Sequence, residues 1–206
     1  MLGPDDIADL EGEHGAACRY LRADVDTPIP ELVELATGWP IAFDPTLDTE
    51  GRFDGRVTLR AGVPDARAKH NGGHELSHWW LDRIGYRGLD LEERCDALGA
   101  MFAAPRETFL RVIKVVDHAV YDLANTFGIT QSVAMLRVGE VTGRPVLLLR
   151  WAGAIVRGYE FGWPSISTLV RLASEHRESV HPLKIRDEAN RVGFMARREP
   201  WVARTA

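Results

Sequence analysis

The sequence predicts an α+β fold, mostly helical, in which a small antiparallel sheet precedes a helix carrying H-E-x-x-H and a helix-turn-helix-like segment follows. Three observations carry that expectation. Apolar residues recur at helical spacing through most of the N-terminal half. Asp54-Gly55, the dipeptide most typical of a type I′ hairpin, is flanked by short strand-like runs, Arg52-Phe53 and Arg56-Val57-Thr58-Leu59. His74 and His78 stand four residues apart around Glu75, the spacing that stacks two imidazoles on one helix face.

Composition narrows the class. A chain of 206 residues holds one ordinary domain, or a domain with a small appendage, and buries a sizeable core. Its 45% hydrophobic and 27% charged residues read as globular. A net charge of -5 argues against a broad grip on nucleic acid, which calls for a basic surplus. Met1 to Leu10 lacks the basic start and apolar run of a signal peptide, and no stretch approaches the ~18 apolar residues of a membrane span. The expected address is the cytoplasm, with no membrane partner. The two cysteines, Cys18 and Cys95, allow one disulfide or two buried thiols.

Taken in order, the chain predicts these elements. Ile7, Leu10, Ala17, Tyr20 and Leu21 mark an amphipathic first helix between Asp5 and Asp24, with His14 as a packing or surface residue. Asp26-Thr27-Pro28 starts a second, whose buried stripe is Ile29, Leu32, Val33 and Leu35 and which Gly38 ends. Trp39 to Phe43 reads as a strand broken by Asp44-Pro45, and the Asp54-Gly55 hairpin completes the sheet. A sheet edge beside a peptidase cleft holds an extended substrate by main-chain hydrogen bonds; the alternative is that the sheet only covers the helix.

The next helix carries the motif. Ala66 to Lys69 favours helix, Trp79-Trp80-Leu81 continues its apolar face, and Gly85 offers a stop. Gly72-Gly73 interrupts it, so either the helix begins near Gly73 or small residues are needed there for close packing; the second reading is preferred. His74 and His78 converge on one metal ion, and Glu75 beside it takes a proton from the attacking water and gives it to the leaving amine. His70, one turn earlier, is a poor further ligand, because three stacked positions cannot all wrap one tetrahedral ion.

A catalytic zinc needs a third protein ligand and one open position. Glu92-Glu93-Arg94-Cys95-Asp96 begins fourteen residues after His78 in a further helix-forming stretch. Glu92 and Asp96 share a face, so Glu92 is assigned to the metal and Asp96 to the N–H of a ligand histidine, fixing its tautomer. Glu93 points about 100° away and is the weaker candidate. Zinc is the first expectation, although this donor set also suits manganese and iron.

These residues resemble the ImmA/IrrE family of metallopeptidases, which are zincin-like. The likeness runs from Ala68 to Trp80 and from Leu91 to Pro105, within a broader match over residues 26 to 140. Family members carry an HELGH-like helix followed by one of the form E-x-E-A-D/N-x-F-A-x-x-L-L-M-P. Glu92 and Asp96 fall on the first Glu and the Asp/Asn, and Pro105 on the closing Pro. Ser77 replaces the Gly of HELGH, Arg94 the second Glu and Leu98 the Phe, and Cys95 fills a slot of Ala, which implies a small buried residue. The resemblance implies a zinc endopeptidase that cleaves a helix-turn-helix repressor, or a non-proteolytic partner of such regulators.

Arg106 to His118 then reads as a core helix on Phe109, Leu110, Val112, Ile113, Val115 and Val116, with His118 and Tyr121 as candidate oxyanion donors. Residues 121 to 143 carry a helix-turn-helix rhythm: Ala124 packs, Gly128 turns, Thr130 caps, and Val133, Leu136 and Val138 face inward. Val146 to Arg150 and Ala154 to Arg157 suggest a wing-like hairpin. Only Gln131, Arg137 and Ser132 suit base contacts, so a structural or protein-docking role is favoured over DNA reading. Ser165 to His176 predicts a further helix. The expected division is a peptidase domain at 1–117, a helix-turn-helix-like segment at 118–158 and a helical extension at 159–206. The competing function is a DNA-associated transcriptional regulator.

Overall fold

A computed structural model describes residues 2–115 and 120–142, with the backbone of four further strands at 146–150, 155–159, 180–184 and 191–196. Helix α1 (Pro4–Leu21) buries Ile7, Leu10, Ala17 and Leu21 along one face, whereas Tyr20 is exposed. Helix α2 (Ile29–Thr37) begins behind Pro28 and closes on Gly38 in the left-handed region at φ 76°. It buries Ile29, Leu32 and Val33. Leu35, expected in that stripe, is exposed, because it lies about 100° round the helix from the stripe's centre.

Three short strands follow: β1 (Ala42–Asp44), β2 (Gly51–Phe53) and β3 (Val57–Arg60), in the order β1-β3-β2. β2 runs antiparallel to β3 and β1 parallel to it, so the sheet is mixed rather than wholly antiparallel. Two chain reversals, before and after β2, restore the original direction by β3. The hairpin also differs from expectation. Phe53 pairs with Val57, leaving Asp54, Gly55 and Arg56 in the loop. Only Gly55 has positive φ, 95°, whereas a type I′ turn needs it at two residues.

Helix α3 (Asp65–Arg83) runs unbroken through Gly72-Gly73, and α4 (Leu91–Ala103) packs along it. The glycines serve close approach. A Cβ on Gly73 would stand 2.7 Å from the Gly99 carbonyl oxygen, and one on Gly99 2.7 Å from the His74 nitrogen. Nothing larger than hydrogen fits between the two backbones.

Helix α5 (Arg106–Ile113) buries Phe109 and Ile113, but Val115 lies beyond its end and is exposed, contrary to the expected core run. Val116 and His118 lie outside the described residues. Helices α6 (Val120–Phe127) and α7 (Gln131–Thr142) flank Gly128 at φ 58°, and Ala124, Val133, Leu136 and Val138 are buried. Strands β4 (Val146–Arg150) and β5 (Ile155–Tyr159) pair antiparallel at the expected hairpin. The stretch expected as a helical extension contributes strands instead: β6 (Val180–Lys184) and β7 (Arg191–Ala196) complete a sheet of order β5-β4-β7-β6. Ladder pairing to β4 decides this, since β7 meets it residue for residue from Val146 to Arg150. The expected helix at 165–176 lies outside the described residues.

The chain divides into two compact units, Met1–Phe109 with Phe127–Thr130, and Leu110–Thr126 with Gln131–Ala206. The first unit holds α1 to α4 and the three-stranded sheet. Lys69 of α3 donates to the Phe127 carbonyl at 2.6 Å, and the Phe109 and Phe127 rings lie 5.1 Å apart, which fastens residues 127–130 to that unit. Among the described residues, no helix is long and apolar enough to cross a membrane.

Candidate metal centre

The Gly73–Gly99 contact decides what faces what. On α4, Asp96 lies one turn and Glu92 two turns before Gly99, and on α3 His74 directly follows Gly73, so the crossing sets both carboxylates over the histidines. The two Nε2 atoms of His74 and His78 stand 3.1 Å apart. Glu92 Oε2 is 3.3 Å from the first, and Glu92 Oε1 is 3.5 Å from the second. Bonds of about 2.0–2.2 Å at tetrahedral angles separate neighbouring donors by about 3.3–3.6 Å. The donors sit at ion-holding spacing, and His74, His78 and Glu92 form a group that can hold one metal ion.

Asp96 Oδ1 lies 3.0 Å from His74 Nδ1. With that nitrogen carrying its proton to the carboxylate, the Nε2 lone pair points at Glu92 and His78. Electrostatics follow the same plan. Burial pulls the His74 imidazole down, but the Asp96 hydrogen bond, with the Asp96, Glu75 and Glu92 charges, outweighs it and holds its pKa above 6.5. For His78, burial and the neighbouring His74 charge prevail over Glu92 and Asp96, and its pKa is lowered. Glu75 is 7% exposed. Burial, helped by the Glu92 charge and opposed by His74, pushes its carboxyl above the ordinary 4.5, the direction that suits a group exchanging protons near neutrality.

The group opens into a cleft of about 740 Å³. It is lined by α3 from His70 to Asp82, by β2, by Glu92 and Asp96 of α4, and by Tyr86 and Arg87. Because β2 pairs with β3 alone among the described residues, its other edge has no strand partner among them. Glu50 at the cleft's margin accepts from Arg67 Nε at 2.6 Å and from Asn71 Nδ2 at 3.3 Å. Burial raises its carboxyl, yet these bonds and the Arg67 and Arg60 charges prevail, so its pKa is lowered. Tyr86 donates to Asp90, and Arg94 holds Asp90 Oδ2 and Asp6 Oδ1, each at 2.8 Å.

The structure thus brings together His74, Glu75, His78, Glu92 and Asp96. Glu93 is exposed and outside the group. His70 lines the same cleft without joining the donors. His14 is buried against Phe102, ring centroids 5.0 Å apart. Tyr121 is exposed and belongs to the second unit. Cys18 and Cys95 are buried and free, and burial pushes the Cys18 thiol up to about 11. Ser77 is fully buried, its hydroxyl donating to the Gly73 carbonyl at 2.7 Å. Arg137, a residue that suited base contact, is fully buried and pairs with Glu140 at 2.8 Å.

Sequence reasoning passed over Glu50, Gly51, Asn71, Tyr86 and Arg87. Asn71 carried a signal, since it lies three residues before His74 and so shares its helix face. The others reach the cleft from a strand and a loop, where helical spacing says nothing.

The fold has a solved counterpart. A structure described as a Mycobacterium tuberculosis transcriptional regulator matches this chain with a TM-score of 0.65 at 14% sequence identity, over 85% of this chain. This chain spans 64% of the length of that one. At such identity the likeness is one of fold. No protein-family model and no curated protein matches the chain.

Proposed function

We propose that the chain is a metal-dependent endopeptidase working in transcriptional regulation, with a regulatory protein such as a helix-turn-helix repressor as substrate. The observation that carries this reading is the meeting of two imidazole nitrogens and a carboxylate at 3.1 to 3.5 Å, with a buried glutamate between the histidines in sequence. The resemblance to ImmA/IrrE points the same way. His74, His78 and Glu92 would hold the ion, zinc by first expectation, and a bound ion there supplies Lewis acidity toward a peptide carbonyl and lowers the pKa of water. Glu75 takes the proton from the attacking water and delivers it to the departing amine. Asp96 keeps His74 in the tautomer that presents Nε2. The edge of β2 away from β3 hydrogen-bonds an extended stretch of substrate backbone along the cleft.

A second reading draws on the printed name of the solved counterpart: a regulator that keeps the fold and captures another regulatory protein without cutting it. DNA reading through α7 has less support, because Val133 to Val141 are all buried there. Co-expression with a candidate repressor separates the readings. Wild type loaded with metal should yield two fragments by mass spectrometry, and Glu75→Gln should bind metal equally while losing roughly 10²–10⁴-fold in rate. Intact repressor retained equally by both proteins would establish the capture reading instead.

A further inference from the structure

We propose that Gly51 is the residue that positions the Glu75 carboxylate, so that strand β2 of the cleft and the proton-carrying group are one steric unit. The proposal rests on the peptidase reading for its consequence in catalysis, but its geometry stands apart from it.

A glycine that opens a short strand and pairs in its ladder needs a reason, since it packs no side chain and loses more freedom on folding than any other residue. At Gly51 the reason is not backbone conformation. Among the described residues the glycines with positive φ are Gly38, Gly55, Gly62, Gly85 and Gly128, and Gly51 is not one of them. An alanine could adopt its backbone. The reason is what stands above its Cα. A Cβ there would lie 2.5 Å from Glu75 Oε1 and 3.1 Å from both Cδ and Cγ of Glu75, so the whole end of the side chain occupies the space a methyl would need.

The placement follows from the strand's register. Gly51 pairs with Leu59, a residue that is buried, whereas Arg52 between Gly51 and Phe53 is exposed. Successive side chains alternate across a strand, so position 51 faces α3 and position 52 faces away. Both β2 and β3 pack on α3, and an added Cβ at Gly72 would be 3.9 Å from Leu59 Cδ1, an ordinary contact distance. Glu75 therefore lies under the strand's backbone with its carboxylate beside the histidines. A residue with any side chain at 51 must displace either the carboxylate or the strand, and the side chain is the softer of the two.

The test is Gly51→Ala. Its crystal structure should show the Glu75 carboxylate moved by roughly 1 Å or more, with β2, His74, His78 and Glu92 in place and metal content unchanged. On a labelled unfolded casein, kcat should drop by roughly 10²-fold, the scale of a misplaced reacting group, with KM within about twofold. Gly12→Ala, where nothing lies within 4 Å of the added Cβ, should leave kcat unchanged. An unmoved carboxylate, or a strand that shifts in its place, overturns the proposal. If Gly51→Ala alone does not fold, the double variant Gly51→Ala/Glu75→Ala should, because the second change removes the obstructing atoms; failure of both overturns it. If the wild type cleaves nothing, the peptidase reading fails and the position of the carboxylate still decides the role of Gly51.

Discussion

At the scale of single residues, the site depends on carboxylates whose surroundings differ. Asp96 acts through His74, so Asp96→Asn should weaken metal affinity by roughly 10–100-fold, read by competition with a chelating dye. Protons compete with metal for the imidazoles. Since His74 is held above 6.5, that competition should begin above pH 6.5 in wild type and move to lower pH in Asp96→Asn. Glu50 carries the opposite shift. Its folded pKa is lowered, so its contribution to stability is present above the ordinary 4.5 and is lost as pH falls through the folded value. Glu50→Gln should melt below wild type at pH 7, and the gap in Tm should close in acid. A gap that does not vary with pH would remove the Arg67 and Asn71 contacts as its cause.

At the scale of elements, the centre is a product of one crossing. Helices α3 and α4 approach at Gly73 and Gly99 without room for a methyl. Gly99→Ala should force them apart, cost about 1–3 kcal/mol as overpacking, and lower metal affinity with it, since Glu92 and Asp96 ride on α4. Calorimetry alongside metal titration checks both effects. Loss of stability with metal affinity intact would mean that Glu92 and Asp96 do not depend on this contact. The helical elements were legible because 3.6-residue spacing, Gly38 and Gly85 are local signals. The mixed sheet was not, because which neighbour β1 pairs with depends on a partner distant in sequence, and the exposure of Leu35 and Val115 depends on which face the rest of the chain covers.

At the scale of the whole molecule, two compact units share one chain with a net charge of -5. With Arg137 buried in an ion pair and α7 lacking an exposed basic face, the protein should give no complex with random duplex DNA in a gel shift at about 0.15 M salt. A salt-sensitive shift would revive the DNA-reading alternative. The rhythm of α6, Gly128 and α7 was readable as a pattern, but a pattern does not say whether the second helix is presented or covered. Strands β6 and β7 were missed because mixed charge and scattered prolines mask alternation until β4 supplies a partner.

By itself the sequence determined the residue types and the local geometry of the centre: His74, Glu75 and His78 on one helix face, Glu92 and Asp96 on another, each following from the pitch of a single helix. Only the tertiary structure decided that the two faces meet, that Asp96 addresses His74, and that Gly51 lies over Glu75. Those are contacts between segments far apart in the chain, and their distances depend on how closely backbones pack, which no local periodicity encodes.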